Sequence, residues 1–171
     1  MVVVCEDAQQ RVFIYRLLKE FSLHRRLRVE VAQEGRGAAD QWVRETYPDE
    51  VAAYRQSTMA VGLVTAIDAD ENPVHFRYQQ LNEELGANDL EQRKRDETIC
   101  LLVPKRNIET WIHALSGEEV NEQDAYRKLA KESECQPAVD QLVEYLRHGV
   151  PDDLIPSLRR GCQELDERLP E

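Results

Sequence analysis

Four short apolar runs punctuate the first hundred residues, and each stops at charged or turn-forming residues. Val2–Cys5 is a continuous apolar run, the pattern of a strand buried on both faces. Leu27–Ala32 alternates Leu27, Val29 and Val31 with Arg28 and Glu30, which is strand period. Ala60–Ile67 and Thr98–Val103 are two further buried strands. The segments between them carry helical spacing. Ala8–Ser22 places Val12, Phe13, Leu17, Leu18 and Phe21 near one face. Ala38 to about Gln56 reads as a helix with a break point at Pro48, and Val74–Leu85 as a third helix. The order β-α-β-α-β-α-β predicts a Rossmann-like α/β fold: a mostly parallel four-stranded sheet with helices on both faces.

Past the fourth strand the pattern becomes helical throughout. Asn107–Leu115, Glu122–Lys131, Ala138–Arg147 and Leu154–Leu169 each carry apolar residues three and four apart. The expected organisation is an α/β domain over residues 1–116 and a helical extension over 117–171 packed on it. There is no internal repeat and no low-complexity tract.

Charge adds a constraint on partners. The net charge is −11, and residues 107–171 alone carry 15 acidic against 7 basic side chains. Such a balance argues against nonspecific grip on nucleic acid. No apolar run approaches the roughly 20 residues of a membrane span, and the start of the chain lacks the basic region of a signal peptide. The four cysteines, Cys5, Cys100, Cys135 and Cys162, form no C-x-x-C pair, so the expectation is buried thiols in a reducing cytoplasm.

The strand ends hold the candidate chemistry. In an open α/β sheet, ligands sit beyond the carboxyl ends of the strands. Glu6 follows the first strand, Asp68 and Asp70 the third, and Lys105 the fourth. If the backbone stays extended, Asp68 and Asp70 face the same way. Three converging carboxylates repel unless a cation lies between them, and Mg²⁺ takes oxygen ligands in this manner. The plainer reading is that strand-end acids cap the next helix, as Asp7 would for the first. Arg36, between Gly35 and Gly37 after the second strand, falls on the same edge and is the best phosphate contact. The basic residues of 24–28 and 93–95 read as solvated faces. The four histidines lack ligand spacing, and Trp111 lies on the apolar stripe of its helix.

Taken together these motifs resemble the TOPRIM fold of topoisomerases, primases and small nucleases. The first motif of that family is a strand, then Glu-Gly, then a helix. Here it is Val2-Val3-Val4-Cys5-Glu6-Asp7 leading into Gln10, Phe13 and Leu17. The second is the strand ending in Asp68-Ala69-Asp70. The likeness extends to RloB-like and overcoming-lysogenization-defect (OLD) proteins of restriction and anti-phage loci, whose fourth strand leads into Pro-x-x-Asn-x-Glu-x-Trp. This chain has Pro104-Lys105-Arg106-Asn107-Ile108-Glu109-Thr110-Trp111. The resemblance covers residues 1–116.

It implies a Mg²⁺- or Mn²⁺-dependent phosphodiesterase acting on nucleic acid, DNA before RNA, with a possible ATPase partner and a possible homodimer. Glu6, Asp68 and Asp70 would hold the metal. Glu6, Lys105 and Glu109 would be catalytic. Arg36, Lys105 and Arg106 would contact nucleic acid. Two departures stand out. Asp7 occupies the family's glycine position, and Gln10 stands where these relatives often carry an acid, which favours a catalytically lapsed binding module as the alternative. A receiver domain is the lesser alternative. It would use Glu6, Asp7, Asp68 and Lys105 but needs two strands after its phosphoacceptor, where the pattern supplies one. Activity on a small phosphorylated substrate is also open.

Overall fold

The computed structural model describes residues 1–33, 38–59 and 61–169. Its strands are β1 (Val2–Cys5), β2 (Arg28–Val31), β3 (Leu63–Ala66) and β4 (Ile99–Leu102). All pair in parallel, in the spatial order β2-β1-β3-β4. Among the described residues the α-helices are α1 (Ala8–Glu20), α2 (Ala39–Gln56), α3 (Val74–Ala87), α4 (Ile108–Leu115), α5 (Gln136–His148) and α6 (Pro156–Arg168). The α/β fold read from the sequence is the fold observed.

The order of strands fixes where the helices go. The chain steps from β1 outward to β2, then crosses back past β1 to β3 and on to β4. Right-handed crossovers put α1 on one face and α2 and α3 on the other. Alternate residues of the strands feed the two cores. Val3, Cys5, Val64, Ala66, Cys100 and Leu102 pack with α1, α4, α5 and α6. Val4, Leu63, Ile99 and Leu101 pack with Val43, Tyr47 and Val51 of α2 and Leu81 and Leu85 of α3. The reversal of direction falls between β1 and β3, and this is the sheet's topological switch point.

Three expectations are corrected. Pro48 lies inside a continuous α2 and does not break it. Its ring costs one backbone hydrogen bond, while burial of Val43, Tyr47, Pro48 and Val51 holds the helix together across it. Residues 122–131 form no helix. Asn121 Oδ1 accepts from the backbone N–H groups of Gln123 (2.9 Å) and Asp124 (2.8 Å), which closes a local turn instead of starting a helix. The chain becomes helical only at a 3-10 turn, Glu132–Cys135, that feeds α5. Finally, α1 stops at Glu20, and Ser22 has a positive φ of 59°.

The C-terminal helices are joined to the sheet by specific contacts. Trp111, fully buried, donates from Nε1 to Ser157 Oγ at 2.8 Å. Its ring lies against Gly161 of α6, where an added Cβ would sit 2.3 Å from Trp111 Cη2. Glu164, 2% exposed, accepts from Arg93 Nη1 (2.5 Å) and Arg160 Nη2 (3.1 Å), and from the Leu101 N–H at 3.3 Å. Burial alone would raise the Glu164 carboxyl, but hydrogen bonding and charge from Arg93 leave it below its ordinary value.

Glycine replacements distinguish packing from helix propensity. Gly161→Ala should destabilise the protein by about 1–3 kcal/mol through overpacking against Trp111, despite alanine's better helix propensity. Gly86→Ala, where nothing lies within 4 Å of an added Cβ, should stabilise it by roughly 0.5 kcal/mol. Thermal unfolding of the two variants beside the parent checks both signs.

Candidate functional site

β1 and β3 flank the switch point, so the residues that follow them meet there. Glu6 Oε1 accepts from the Asp68 backbone N–H at 2.5 Å. Gln10, one turn into α1, closes the arrangement from two sides. Its Oε1 accepts from the Glu6 N–H at 2.9 Å, and its Nε2 donates to Asp68 Oδ1 at 2.8 Å. Asp7 caps α1, accepting the Gln10 N–H at 2.9 Å, and its other oxygen lies 3.5 Å from Lys128 Nζ. The cap reading of Asp7 therefore holds, and it leaves Glu6 and Asp68 free of that role.

Burial and like charge set the titration of the pair. Glu6 is pushed up to about 7, chiefly by burial; the Asp68 N–H and Arg77 oppose this, while Asp70 and Asp40 add to it. Asp68 is 8% exposed. Burial, then the charges of Glu6 and Asp7, raise it well above the ordinary carboxylate range, against the hydrogen bond from Gln10. The two carboxyls titrate as a pair.

Asp70 departs from the expected geometry. The backbone after β3 does not stay extended: Asp70 has φ 52° and pairs antiparallel with Arg106, itself at φ 67°. The Asp70 N–H donates to the Arg106 carbonyl at 3.1 Å. This turn sends the two aspartates apart. Asp68 points into the protein toward Gln10, while Asp70 is 61% exposed and pairs with Arg77 Nη2 at 3.0 Å.

Arg77 was not among the residues singled out from the sequence. It is 4% exposed and its guanidinium is filled by acceptors. Nε donates to the Asp68 carbonyl at 2.9 Å. Nη1 donates to Asp40 Oδ2 at 2.7 Å and Gln80 Oε1 at 2.9 Å. The signal was present in the sequence: Arg77, Leu81 and Leu85 are four residues apart, so an arginine sits on the apolar stripe of α3. An arginine buried there needs carboxylate partners, and Asp40 and Asp70 supply them.

The remaining candidates lie around this pair. Lys105 Nζ donates to the carbonyls of Asp70 (3.1 Å) and Asn72 (2.7 Å), bracing the turn after β3. Arg106 Nη1 lies 3.3 Å from Glu71. Glu109, in the first turn of α4, is 1% exposed and its Oε1 has no hydrogen-bond partner. Burial and then Asp7 raise its carboxyl, opposed by a hydrogen bond from its own backbone N–H and by Lys128 and His113. Arg36 lies outside the described residues. A cleft of about 400 Å³ between α5 and α6, lined by Tyr145, Pro151, Arg159 and Cys162 among others, contains none of these acids.

The structure thus joins Glu6 to Asp68 directly, and sets Asp70 apart from them on Arg77. Among the described residues, no group of three or more His, Cys, Asp or Glu is arranged to hold a metal ion. The donor chemistry of Glu6 and Asp68, hard carboxylate oxygens in a partly buried pair, does fit a divalent cation. Comparison with protein families, with curated proteins and with solved structures returned no match for this chain.

A raised carboxyl has a sign that stability measurements can read. Between its ordinary value near 4.5 and about 7, Glu6 holds its proton more tightly in the folded state than in the unfolded chain. Its contribution is fully present below that window and is lost as pH rises through it, by at most about 1.4 kcal/mol per pH unit for one proton. Glu6→Gln keeps the acceptor for Asp68 and should flatten this fall. Denaturant unfolding from pH 4.5 to 8 in a chelating buffer should show the variant gaining on the parent as pH rises.

Proposed function

We propose that the chain is a TOPRIM-like, divalent-cation-dependent phosphodiesterase acting on nucleic acid, with Glu6 and Asp68 as the primary cation ligands. The observation that carries the reading is the contact of these two acids at the switch point. They come from separate strands, burial raises both, Glu6 raises Asp68 further, and this is the edge where open α/β sheets bind ligands. The motif resemblance over residues 1–116 supports the same reading.

A Mg²⁺ or Mn²⁺ held by Glu6 and Asp68 would supply a nucleophilic water and neutralise charge on the phosphoryl group. The chain's own residues do the rest. Gln10 holds the Asp68 carboxylate through its Nε2 and the Glu6 backbone N–H through its Oε1. Glu6, raised to about 7 without the cation, would be ionised once the cation is bound and would then be the base for the attacking water. Lys105 uses two hydrogen bonds on the turn and retains a third donor for a phosphate oxygen. Asp70 would join the ligand set by leaving Arg77, which remains bound to Asp40. Glu109, buried with one carboxyl oxygen unpartnered, is the reserve acid of the site, and Arg106 and Arg36 are the phosphate contacts.

The substrate in this reading is nucleic acid, DNA before RNA. A chain of net charge −11 grips it through a partner, for which the resemblance suggests an ATPase of an anti-phage locus. The four free, buried cysteines fit a reducing cytoplasm. No helix among the described residues is long and apolar enough to cross a membrane. Only one strand, β4, follows the strand leading to Asp68 among the described residues, which leaves the receiver reading without its second strand.

One observation favours a second reading, a lapsed binding module. Gln10 already satisfies Asp68, and Arg77 already satisfies Asp70. The two readings separate in one experiment. Mn²⁺ is titrated calorimetrically into the protein and its Asp68→Asn variant, and nicking of plasmid and single-stranded RNA is followed in parallel. The nuclease reading expects cation binding weakened at least about tenfold in the variant, with cleavage lost. Binding without cleavage by the parent gives the lapsed module. Absence of binding by the parent overturns the cation site.

A further inference from the structure

The two edges of the sheet are treated differently. At the β4 edge, the outward-facing backbone groups are taken by side chains. Arg93 Nη1 donates to the Ile99 carbonyl at 2.7 Å, Tyr78 Oη donates to the Leu101 carbonyl at 3.2 Å, and Glu164 accepts the Leu101 N–H at 3.3 Å. This edge is closed to another strand.

The β2 edge has no such plug among the described residues. The N–H groups of Arg28 and Ala32 donate to the Met1 and Cys5 carbonyls of the β1 side. Strand alternation then turns the N–H and C=O groups of Leu27, Val29 and Val31 outward. Among the described residues β2 pairs with β1 alone. Its apolar side chains are only half-buried: Leu27, Val29 and Val31 lie at the margin of the α1-side core. On the opposite face Arg28 is ion-paired with Glu30 at 3.0 Å, and also with Glu50 of α2.

We propose that the β2 edge is a self-association surface, on which a second copy of this chain adds its own β2 antiparallel, about a two-fold axis through Val29. The side chains choose both the partner and the register. Hydrogen-bonded pairs must join outward-facing residues, so Val29 meets Val29 of the second copy and Leu27 meets Val31. In this register Arg28 lies opposite Glu30 on one face, twice by symmetry, and the other face is apolar throughout. A slip of one residue pairs outward with inward groups and forms no ladder. Moving the two-fold axis to position 28 or 30 sets Arg28 against Arg28 or Glu30 against Glu30, and these pairs repel. Isolated edge charges of one sign would keep strands apart; an opposed pair two residues apart is self-complementary under a two-fold. The product is a continuous eight-stranded sheet with its two acid sites facing opposite ways, and it does not depend on the catalytic reading.

The test is the mass of the full-length chain by sedimentation and light scattering over a concentration series. The expected result is a reversible dimer. Glu30→Arg and Arg28→Glu should each weaken it about tenfold, since two attractive pairs become repulsive. Mixing the two variants should restore it, because the two basic side chains on the edge of one copy then face two acidic side chains on the other. Val29→Pro removes an N–H that β1 does not use, so it should leave the fold intact by circular dichroism and abolish the dimer. This variant and Glu30→Arg carry the test if Arg28→Glu does not fold. A parent that stays monomeric at every concentration overturns the proposal, as does a dimer indifferent to Glu30→Arg and Val29→Pro.

Discussion

The hydrogen bond from the Asp68 N–H to the Glu6 carboxylate ties together the two strands at which the sheet changes direction. The site depends on it. It draws the carboxyl of one strand end against the backbone of the other, and Gln10 then holds the Glu6 backbone and the Asp68 carboxylate from α1. On the far side Arg77 holds the Asp68 carbonyl together with Asp40 and Asp70, so α2 and α3 are fixed to the same point. One buried guanidinium balances Asp40 and Asp70, while Glu6 and Asp68 keep raised carboxyls on its other flank. Carboxyls raised in this way hold their protons until a cation displaces them, and these two are the ligands proposed for a divalent cation.

The rest of the molecule supports that edge from behind. The face carrying α1 is thickened by α4, α5 and α6, and Trp111 and Glu164 fasten the last helix to the sheet. The same contacts close the β4 edge. They require the burial of a carboxylate, offset by Arg93, Arg160 and Arg168 around Glu164. The segment before α5 also touches the site, through Lys128 at Asp7 and the Glu132 carbonyl at Gln9. The helical C-terminal part thus shapes the acid edge as well as covering the core.

Much of this was legible in the sequence. Continuous apolar runs marked the three buried strands and alternation marked β2, so all four strands could be placed within a residue or three of their ends. Glu6 and Asp68 were legible because position after a strand already implies the sheet's carboxyl edge. Asp70 was not, because its direction depends on a left-handed turn stabilised by a bridge to Arg106, far along the chain. Arg77 stood on the apolar stripe of α3, where its charge was passed over. Residues 122–131 had helical spacing, but a side-chain turn at Asn121 captured the N–H groups that a first helical turn leaves free. Pro48 shows the converse, tertiary burial overriding a local breaker.

The central claim is that Glu6 and Asp68 form a partly buried acid pair suited to a cation. The most direct measurement is a ¹³C carboxyl NMR titration of Glu6, with and without Mg²⁺. The expected result is an apparent pKa near 7 in the cation-free protein and a marked fall when Mg²⁺ is added. A Glu6 that titrates in the ordinary carboxylate range and is unmoved by Mg²⁺ would contradict it.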